Sequence, residues 1–446
     1  MVKNIFIQNF SKIHFIGIGG VSMSALAKYC LAGKIAVSGS DKRFSEEITL
    51  LRSLGAEVYV THQNTLPDGV DAVVYTSAIE KDNPELLYAK EKQIPIFKRS
   101  EFLGNIVNGF NLSLAVCGCH GKTTTTAMLS EVLIGAGYNP TVFLGGDGNC
   151  FGNFNNGGDE LVVLEACEYE KNFLDIKSNY SIVTNVDNDH LDTYKDVGEE
   201  IDCVNQFIRN SIALVNADDK NSKSLYCPTS ITYGIRESAS YLAKNVKEVN
   251  GKIAFTVYAY GIRLGRIKIS VRGIHNVYNA LSVVALANEI RLPFYKIKKG
   301  LENFHGVKRR DEFIGNYKGV ACFSDYAHHP SEINALILSQ ERTDNTLFVF
   351  QPHTYSRTKY LMDDFIKILS PVKNLIIYKT FPARESFDKE GDAKTLYNNL
   401  KKLNLDVKFA GCENSLKKEI KAFTNIDKIY FVGAGDLYEI ARKKLF

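Results

Sequence analysis

The chain has 446 residues, 45% of them apolar and 23% charged, with 54 lysines and arginines against 50 aspartates and glutamates. That length exceeds one ordinary core and corresponds to about three domains at roughly 150 residues each, while the composition excludes disordered and fibrous chains. A net charge of +4 argues against a dedicated nucleic-acid binder, and no stretch holds the roughly 18 unbroken apolar residues that span a bilayer.

The first ten residues, interrupted by polar side chains, run into a strand pattern and read as no signal peptide. Nine cysteines scattered without paired CxxC motifs read as free thiols of a reducing cytoplasm. Residues 13–16 then read as a strand, 21–32 as a helix, 35–37 as a strand and 46–54 as a helix. A strand at 72–75 and a helix at 84–92 follow, and this alternation predicts a parallel sheet with helices on its faces. The polar, turn-rich Asn108-Gly-Phe-Asn111 reads as a domain boundary. A second unit opens with a strand at 112–116 and a helix at 122–134, with further strands at 161–164 and 182–184. Residues 253–259 and 262–271 alternate around Tyr260-Gly261 as an antiparallel hairpin, and a long helix covers 276–290. After Gly306-Val-Lys-Arg-Arg310 the alternation begins again, with strands at 320–324, 346–350, 375–378 and 429–432. The fold class is α/β, in three units.

The sharpest motif is Gly118-Cys-His-Gly121-Lys122-Thr123-Thr124, lying between a strand and a helix. A glycine-rich turn leaves backbone N–H groups free for phosphate oxygens, and the helix N-terminus adds positive potential. Lys122 is spaced to reach the β and γ phosphates and the Thr123 hydroxyl to bind Mg²⁺. Val116 stands where the longer form of this motif has its first glycine, so the loop is the short G-x-x-G-K-T. A rival reading of Cys117, Cys119 and His120 as metal ligands lacks a closing pair of donors. The metal of a bound triphosphate needs a second anchor, and the run 161–164 ends in Glu165, with Ala166-Cys-Glu168 after it. Asp187-Asn-Asp189-His190 follows the next strand, which makes Glu165 and His190 metal candidates beside the loop.

Near the N-terminus, Gly17-Ile-Gly19-Gly20-Val-Ser22 opens a helix, and Asp41 ends the second strand about twenty residues on, the pattern of a nucleotide or pyrophosphate site. NAD, FAD and a UDP group satisfy it equally. Asn276 and Asn279 lie one helical turn apart, suited to an adenine edge, with N-capping an equal explanation for Asn276. In the third unit, Asp325-Tyr326-Ala-His328-His329 follows one strand and His353-Thr-Tyr-Ser-Arg357 the next, a set of imidazoles and a cation suited to an anion or amino-acid pocket.

Together, segments 16–24, 118–126, 189–194, 273–281, 304–310, 325–330, 353–359 and 433–436 resemble the ATP-dependent Mur ligases, in order and over the whole chain. The resemblance implies a three-domain Mur ligase architecture. A Rossmann-like N-terminal domain (1–109) would hold the UDP part of UDP-N-acetylmuramate, a central P-loop ATPase domain with a mostly parallel sheet (110–307) would follow, and a C-terminal Rossmann-like α/β domain (308–446) would bring the amino acid. It implies ATP-dependent ligation of L-alanine to the lactyl carboxylate through an acyl phosphate, releasing ADP and phosphate, as a cytoplasmic step of peptidoglycan precursor synthesis. A ligase adding a recycled tripeptide to the same sugar nucleotide is the alternative. An NAD(P)-dependent oxidoreductase is more distant, since it leaves Gly121-Lys122-Thr123 without a purpose. The implied co-substrate is ATP, the implied metal Mg²⁺ or Mn²⁺, and the implied state a monomer or weak homodimer. Carried over by residue, Gly118, Cys119, His120, Gly121, Lys122, Thr123 and Thr124 cradle ATP, with Asn276, Asn279 and Arg309 also at the nucleotide. Thr123, Glu165 and His190 bind the metal, and Lys122, Glu165 and His190 are catalytic. Gly17, Gly19, Gly20, Ser22 and Asp41 meet the UDP group, and Tyr326, His328 and Arg357 surround the amino acid. Cys119, Ser22, Ser324 and Cys167 depart from the family pattern.

Overall fold

A computed structural model describes residues 4–187, 193–227, 229–249, 251–340, 343–383, 385–403 and 405–445. Three sheets carry the chain. In the first, the strands Lys12–Ile16, Ala36–Ser40, Glu57–Tyr59, Ala72–Tyr75 and Ile96–Lys98 are all parallel, with Lys12–Ile16 at the centre between Ala36–Ser40 and Ala72–Tyr75. Glu57–Tyr59 and Ile96–Lys98 have three residues each, too short to show a period, and escape a pattern reading.

The second sheet has ten strands. Its parallel part is centred on Leu112–Cys117, flanked by Leu161–Glu165 on one side and Tyr180–Val183 on the other. Leu112–Cys117 is buried nearly throughout, as expected of a strand covered on both faces, and so reads as a continuous apolar run. Beyond Tyr180–Val183 come Ile212–Asn216, Ile231–Gly234 and Tyr241–Val249, all parallel. The expected hairpin follows as Lys252–Ala259 and Ile262–Ile269, turning on Tyr260 and Gly261 at φ 48° and 80°. Those positive angles suit a two-residue hairpin turn. The far edge is an unexpected second hairpin, Thr141–Gly148 with Gly152–Asn155, whose glycines hide its strand character.

The third sheet runs in the order Glu312–Tyr317, Val320–Asp325, Lys428–Val432, Thr346–Phe350, Asn374–Tyr378, Val407–Ala410, parallel except for its first strand. The α/β class read from the sequence is the class observed.

By packing, the chain forms two compact units, Met1–Ser270 with Asn276–His305, and Val271–His275 with Gly306–Phe446. In the first, one apolar cluster runs from Ile13, Phe15 and Leu26 through Phe102 and Ile106 to Ala115, Val162 and Phe207, so the first two sheets share a core. Asn153, almost wholly buried in the second hairpin, donates to Val21 O (2.6 Å) and Ser24 Oγ (2.8 Å) and accepts from Lys28 Nζ (2.6 Å). The hairpin is thereby tied to the helix Val21–Ala32. In the second unit the core gathers Cys322, Leu347, Val349, Ile376, Leu416, Ile429 and Phe431. Among the described residues no helix is long and apolar enough to cross a membrane.

Candidate active site

In the central sheet the chain order reverses across Leu112–Cys117, which has neighbours on both sides drawn from later sequence. Open parallel sheets hold ligands at the carboxyl end of such a strand. Gly118–Gly121 lies there and leads into the helix Lys122–Gly135. Gly121 is the N-cap residue, at φ 83°, with no side-chain cap on the helix, so the first-turn amides keep no capping partner from a side chain.

Both flanking strands reach this loop. From the Tyr180–Val183 side, Thr184 Oγ1 shares its one proton between His120 O (2.7 Å) and Cys117 O (3.1 Å). Asn185 Nδ2 donates to His120 O (2.9 Å) while its Oδ1 accepts His120 N–H (2.9 Å). Cys119 Sγ donates to Glu200 Oε1 (3.0 Å) or Asp187 O (3.1 Å) and accepts from Asp187 N–H (3.0 Å). A donor-and-acceptor role of this kind is what a threonine hydroxyl performs, so the departure at Cys119 keeps the bonding pattern. Burial, then the Glu200 carboxylate, push this thiol well above the ordinary range, which leaves it protonated and unreactive. From the other side, Glu165 Oε2 accepts from Thr123 Oγ1 (2.8 Å) and Gly145 N–H (3.0 Å). Two of the three expected metal ligands, Thr123 and Glu165, therefore converge; His190 lies outside the described residues.

Lys122 Nζ donates to Gly118 O (2.6 Å) and Cys119 O (3.1 Å) and stands 2.8 Å from Glu168 Oε2. Burial alone pulls its pKa down, but the Glu168 carboxylate, with Cys167, Glu165 and Cys119 behind it, holds the ammonium above its ordinary value. Thr124 is buried on the first turn of the same helix. Asn276 and Asn279 are buried on the helix Ile274–Glu289, which begins two residues before Asn276, so capping does not account for it. Asn279 Nδ2 donates to Asn276 Oδ1 (3.1 Å), and Asn279 Oδ1 would lie 2.8 Å from a Cβ on Gly121. The structure thus brings the asparagine pair against the loop.

At the first sheet, Gly17 and Ile18 N–H donate to Ser40 O (2.8 and 3.1 Å), and Gly19 N–H donates to Asp41 Oδ2 (3.0 Å). A Cβ on Gly19 would fall 2.9 Å from that oxygen. Gly20 caps the helix Val21–Ala32 and Ser22 lies half-buried on its first turn. The turn and Asp41 are one bonded structure.

Within the second unit, Tyr326 and His328 follow Val320–Asp325, and His353 and Arg357 follow Thr346–Phe350, with Lys428–Val432 between the two strands. The ring of His328 contacts Tyr326 (5.4 Å between centroids) and His353 (5.9 Å), and His353 stacks on Phe381 (5.5 Å). Arg357 Nη1 donates to His353 O (3.0 Å). Burial, then the charges of His328 and Arg357, depress the His353 pKa to about 3, so this ring is neutral near pH 7. His329 serves as the N-cap of the helix Pro330–Leu338, with Nδ1 2.7 Å from Ser331 Oγ. Arg309 Nη2 donates to Gly433 O and Gly435 O (both 3.0 Å), and its guanidinium lies over Tyr326 (4.6 Å) and Tyr438 (5.2 Å). The Gly433–Gly435 turn, part of one of the segments that carry the family resemblance, is therefore an anchor for Arg309.

Sequence reasoning passed over Thr184, Asn185, Glu200 and Phe381. Asn185 stands at the end of a strand beside the phosphate loop, a position that could have marked it; Glu200 carries no such signal.

The family model described as Mur ligase family, catalytic domain, matches residues 12–111, and the one described as Mur ligase middle domain matches residues 116–287. The chain is 40% identical to the UDP-N-acetylmuramate–L-alanine ligase of Clostridium beijerinckii, covering 100% of both chains. The crystal structure of UDP-N-acetylmuramate-alanine ligase from Thermotoga maritima superposes with a TM-score of 0.83 at 30% identity, covering 97% of each chain. A murein peptide ligase from Psychrobacter arcticus shares the fold, with a TM-score of 0.73 at 20% identity over 97% of this chain and 98% of that one.

Proposed function

The chain belongs to the Mur ligase family, and from that premise we propose that it joins L-alanine to the lactyl carboxylate of UDP-N-acetylmuramate at the expense of ATP, in the cytoplasm, as a step of peptidoglycan precursor synthesis. The observation that carries the reading is the short loop Gly118–Thr123 at the reversal of strand order, with Lys122 and the Thr123–Glu165 pair at its mouth. Nine free cysteines agree with a reducing compartment.

A carboxylate is a poor electrophile, so amide formation requires activation. The lactyl carboxylate oxygen attacks the γ-phosphorus of ATP, the bond to the β-phosphate oxygen breaks, and ADP leaves with an acyl phosphate formed. The amine of L-alanine then adds to the acyl carbon, and inorganic phosphate departs as the amide forms. Two anions must be held in contact for the first step, so the protein's main task is charge neutralisation and placement. The Lys122 ammonium and the uncapped first-turn amides of its helix suit the triphosphate, and Asn276 and Asn279 suit the adenine edge. Arg309 is also assigned to the nucleotide. Thr123 and Glu165 present hard oxygen donors that fit Mg²⁺; with His190 they would hold it, and it would neutralise phosphate charge. The Gly17–Ser22 turn with Asp41 takes the UDP group. Tyr326, His328 and Arg357 take the amino acid, whose carboxylate a guanidinium beside a neutral imidazole suits.

The test is Lys122→Ala. We expect amide formation to fall by at least a thousandfold while UDP-N-acetylmuramate binding, measured by calorimetry, stays within twofold of wild type. Turnover near the wild-type rate would remove the phosphate-loop assignment.

A further inference from the structure

Two carboxylates stand three residues apart, Glu165 as the last residue of the strand Leu161–Glu165 and Glu168 just after it, and their surroundings differ. Glu165 is half-buried and engages the Thr123 hydroxyl. Glu168 is fully buried. One of its oxygens accepts the Gly118 N–H, and the other faces Lys122 Nζ at 2.8 Å. Lys122 in turn donates to the Gly118 carbonyl at 2.6 Å. Carboxylate, ammonium and the N–H and C=O of Gly118 thus close one ring around the start of the loop. The segment bearing Glu168 is itself pinned, since Tyr194 Oη donates to Glu168 O (2.7 Å) and Ala166 N–H to Val116 O (2.8 Å).

A fully buried carboxyl group needs a cation or strong donors beside it, and here both come from the phosphate loop. Its burial gives no opening for a solvated cation, whereas Glu165 has one. We infer that Glu168 is a positioning residue: it holds Lys122 and the Gly118 peptide in the orientation that receives the triphosphate, acts on nucleotide only through them, and takes no part in metal binding. This rests on the phosphate-loop reading above.

The test separates the two ideas. ATP, ADP and adenosine affinities are measured for wild type, Glu168→Gln, Lys122→Met, and the double variant Glu168→Gln/Lys122→Met, in which the buried pair is replaced by neutral groups and no lone charge remains to oppose folding. Glu168→Gln is expected to weaken ATP and ADP about tenfold, leave adenosine within twofold, and leave the Mg²⁺ concentration for half-maximal activity unchanged, whereas Glu165→Gln raises that concentration. Adding Glu168→Gln to Lys122→Met should change ATP affinity by less than twofold. Wild-type ATP affinity in the double variant would overturn the phosphate-loop reading itself. If the double variant loses ATP binding, the positioning role alone is overturned by any of four results: unchanged or tighter ATP binding by Glu168→Gln, an equal loss for adenosine, a shifted Mg²⁺ requirement, or full additivity with Lys122→Met.

Discussion

Replacing Gly118 with alanine tests the loop's shape more sharply than removing a charged group. Gly118 has φ 114°, in a region that is strained for any residue with a Cβ, at about 1–3 kcal/mol. The added carbon would lie 2.3 Å from Thr184 Oγ1 and 2.6 Å from the Asn185 carbonyl oxygen. Displacing Thr184 breaks its hydroxyl bond, shared between Cys117 O and His120 O, and moving the Asn185 carbonyl breaks its bond from Cys119 N–H, at about 1 kcal/mol each. The total is about 3–5 kcal/mol. Gly121→Ala should cost less, about 2–3 kcal/mol, from its left-handed φ of 83° and a 2.8 Å approach to Asn279 Oδ1 that a side chain can relieve by giving up one hydrogen bond. Gly135→Ala on the same helix meets nothing within 4 Å and should be neutral or stabilising by about 0.5 kcal/mol. Scanning calorimetry, at about 2 °C per kcal/mol for a unit of this size, should place the melting temperatures of Gly118→Ala, Gly121→Ala and Gly135→Ala about 6–10 °C below, about 4–6 °C below and at or above wild type. Melting of Gly118→Ala within a degree of Gly135→Ala would mean that the loop does not have this conformation.

Other expectations concern particular side chains. Cys119→Thr, which retains a donor and an acceptor, should keep its melting temperature and its KM for ATP within twofold, whereas Cys119→Ala leaves Asp187 N–H without its acceptor and should cost about 1 kcal/mol and raise that KM severalfold in steady-state assays. His353 has a folded pKa of about 3 against about 6.5 unfolded, so the unfolded chain binds the extra proton between those values and stability falls as pH drops below 6.5. Urea denaturation of His353→Gln should therefore show a loss between pH 7 and pH 5 smaller than wild type by about 1–2 kcal/mol. Asp325, pushed up to about 6 by burial, acts in the opposite sense and cancels in that comparison.

How much of this was legible beforehand depended on the range over which the signal acts. The helix Val21–Ala32 and the strands Ala72–Tyr75 and Thr346–Phe350 have the boundaries read from periodicity, because flanking glycines, prolines and polar runs mark their ends. The edge strand Glu312–Tyr317 and the hairpin Thr141–Gly148 carry glycine and polar residues and show no alternation. In the site, Lys122, Thr123 and Glu165 were visible because each stands at a strand end or loop position with its own local pattern. The partners of Cys119 lie 68 and 81 residues away and meet it only because Tyr180–Val183 pairs with Leu112–Cys117. The Glu168–Lys122 pair likewise depends on the register that sets Glu165 beside Val116; nothing in Glu165-Ala-Cys-Glu168 says which glutamate faces which group. His353 and Arg357 read as an imidazole and a cation of an anion or amino-acid pocket at a strand end, but the stack on Phe381 was hidden because that residue follows a different strand.

The central claim is that the nucleotide loop drives amide formation with a small amino acid. Its most direct measurement is inorganic phosphate released from ATP and Mg²⁺ with UDP-N-acetylmuramate present, compared across L-alanine, glycine, L-serine and the cell-wall tripeptide. If the claim holds, phosphate release depends strictly on the sugar nucleotide, is highest with L-alanine, and is matched one for one by the UDP-N-acetylmuramoyl-L-alanine formed. Release with the tripeptide but not with L-alanine, or none with any amine, would contradict it.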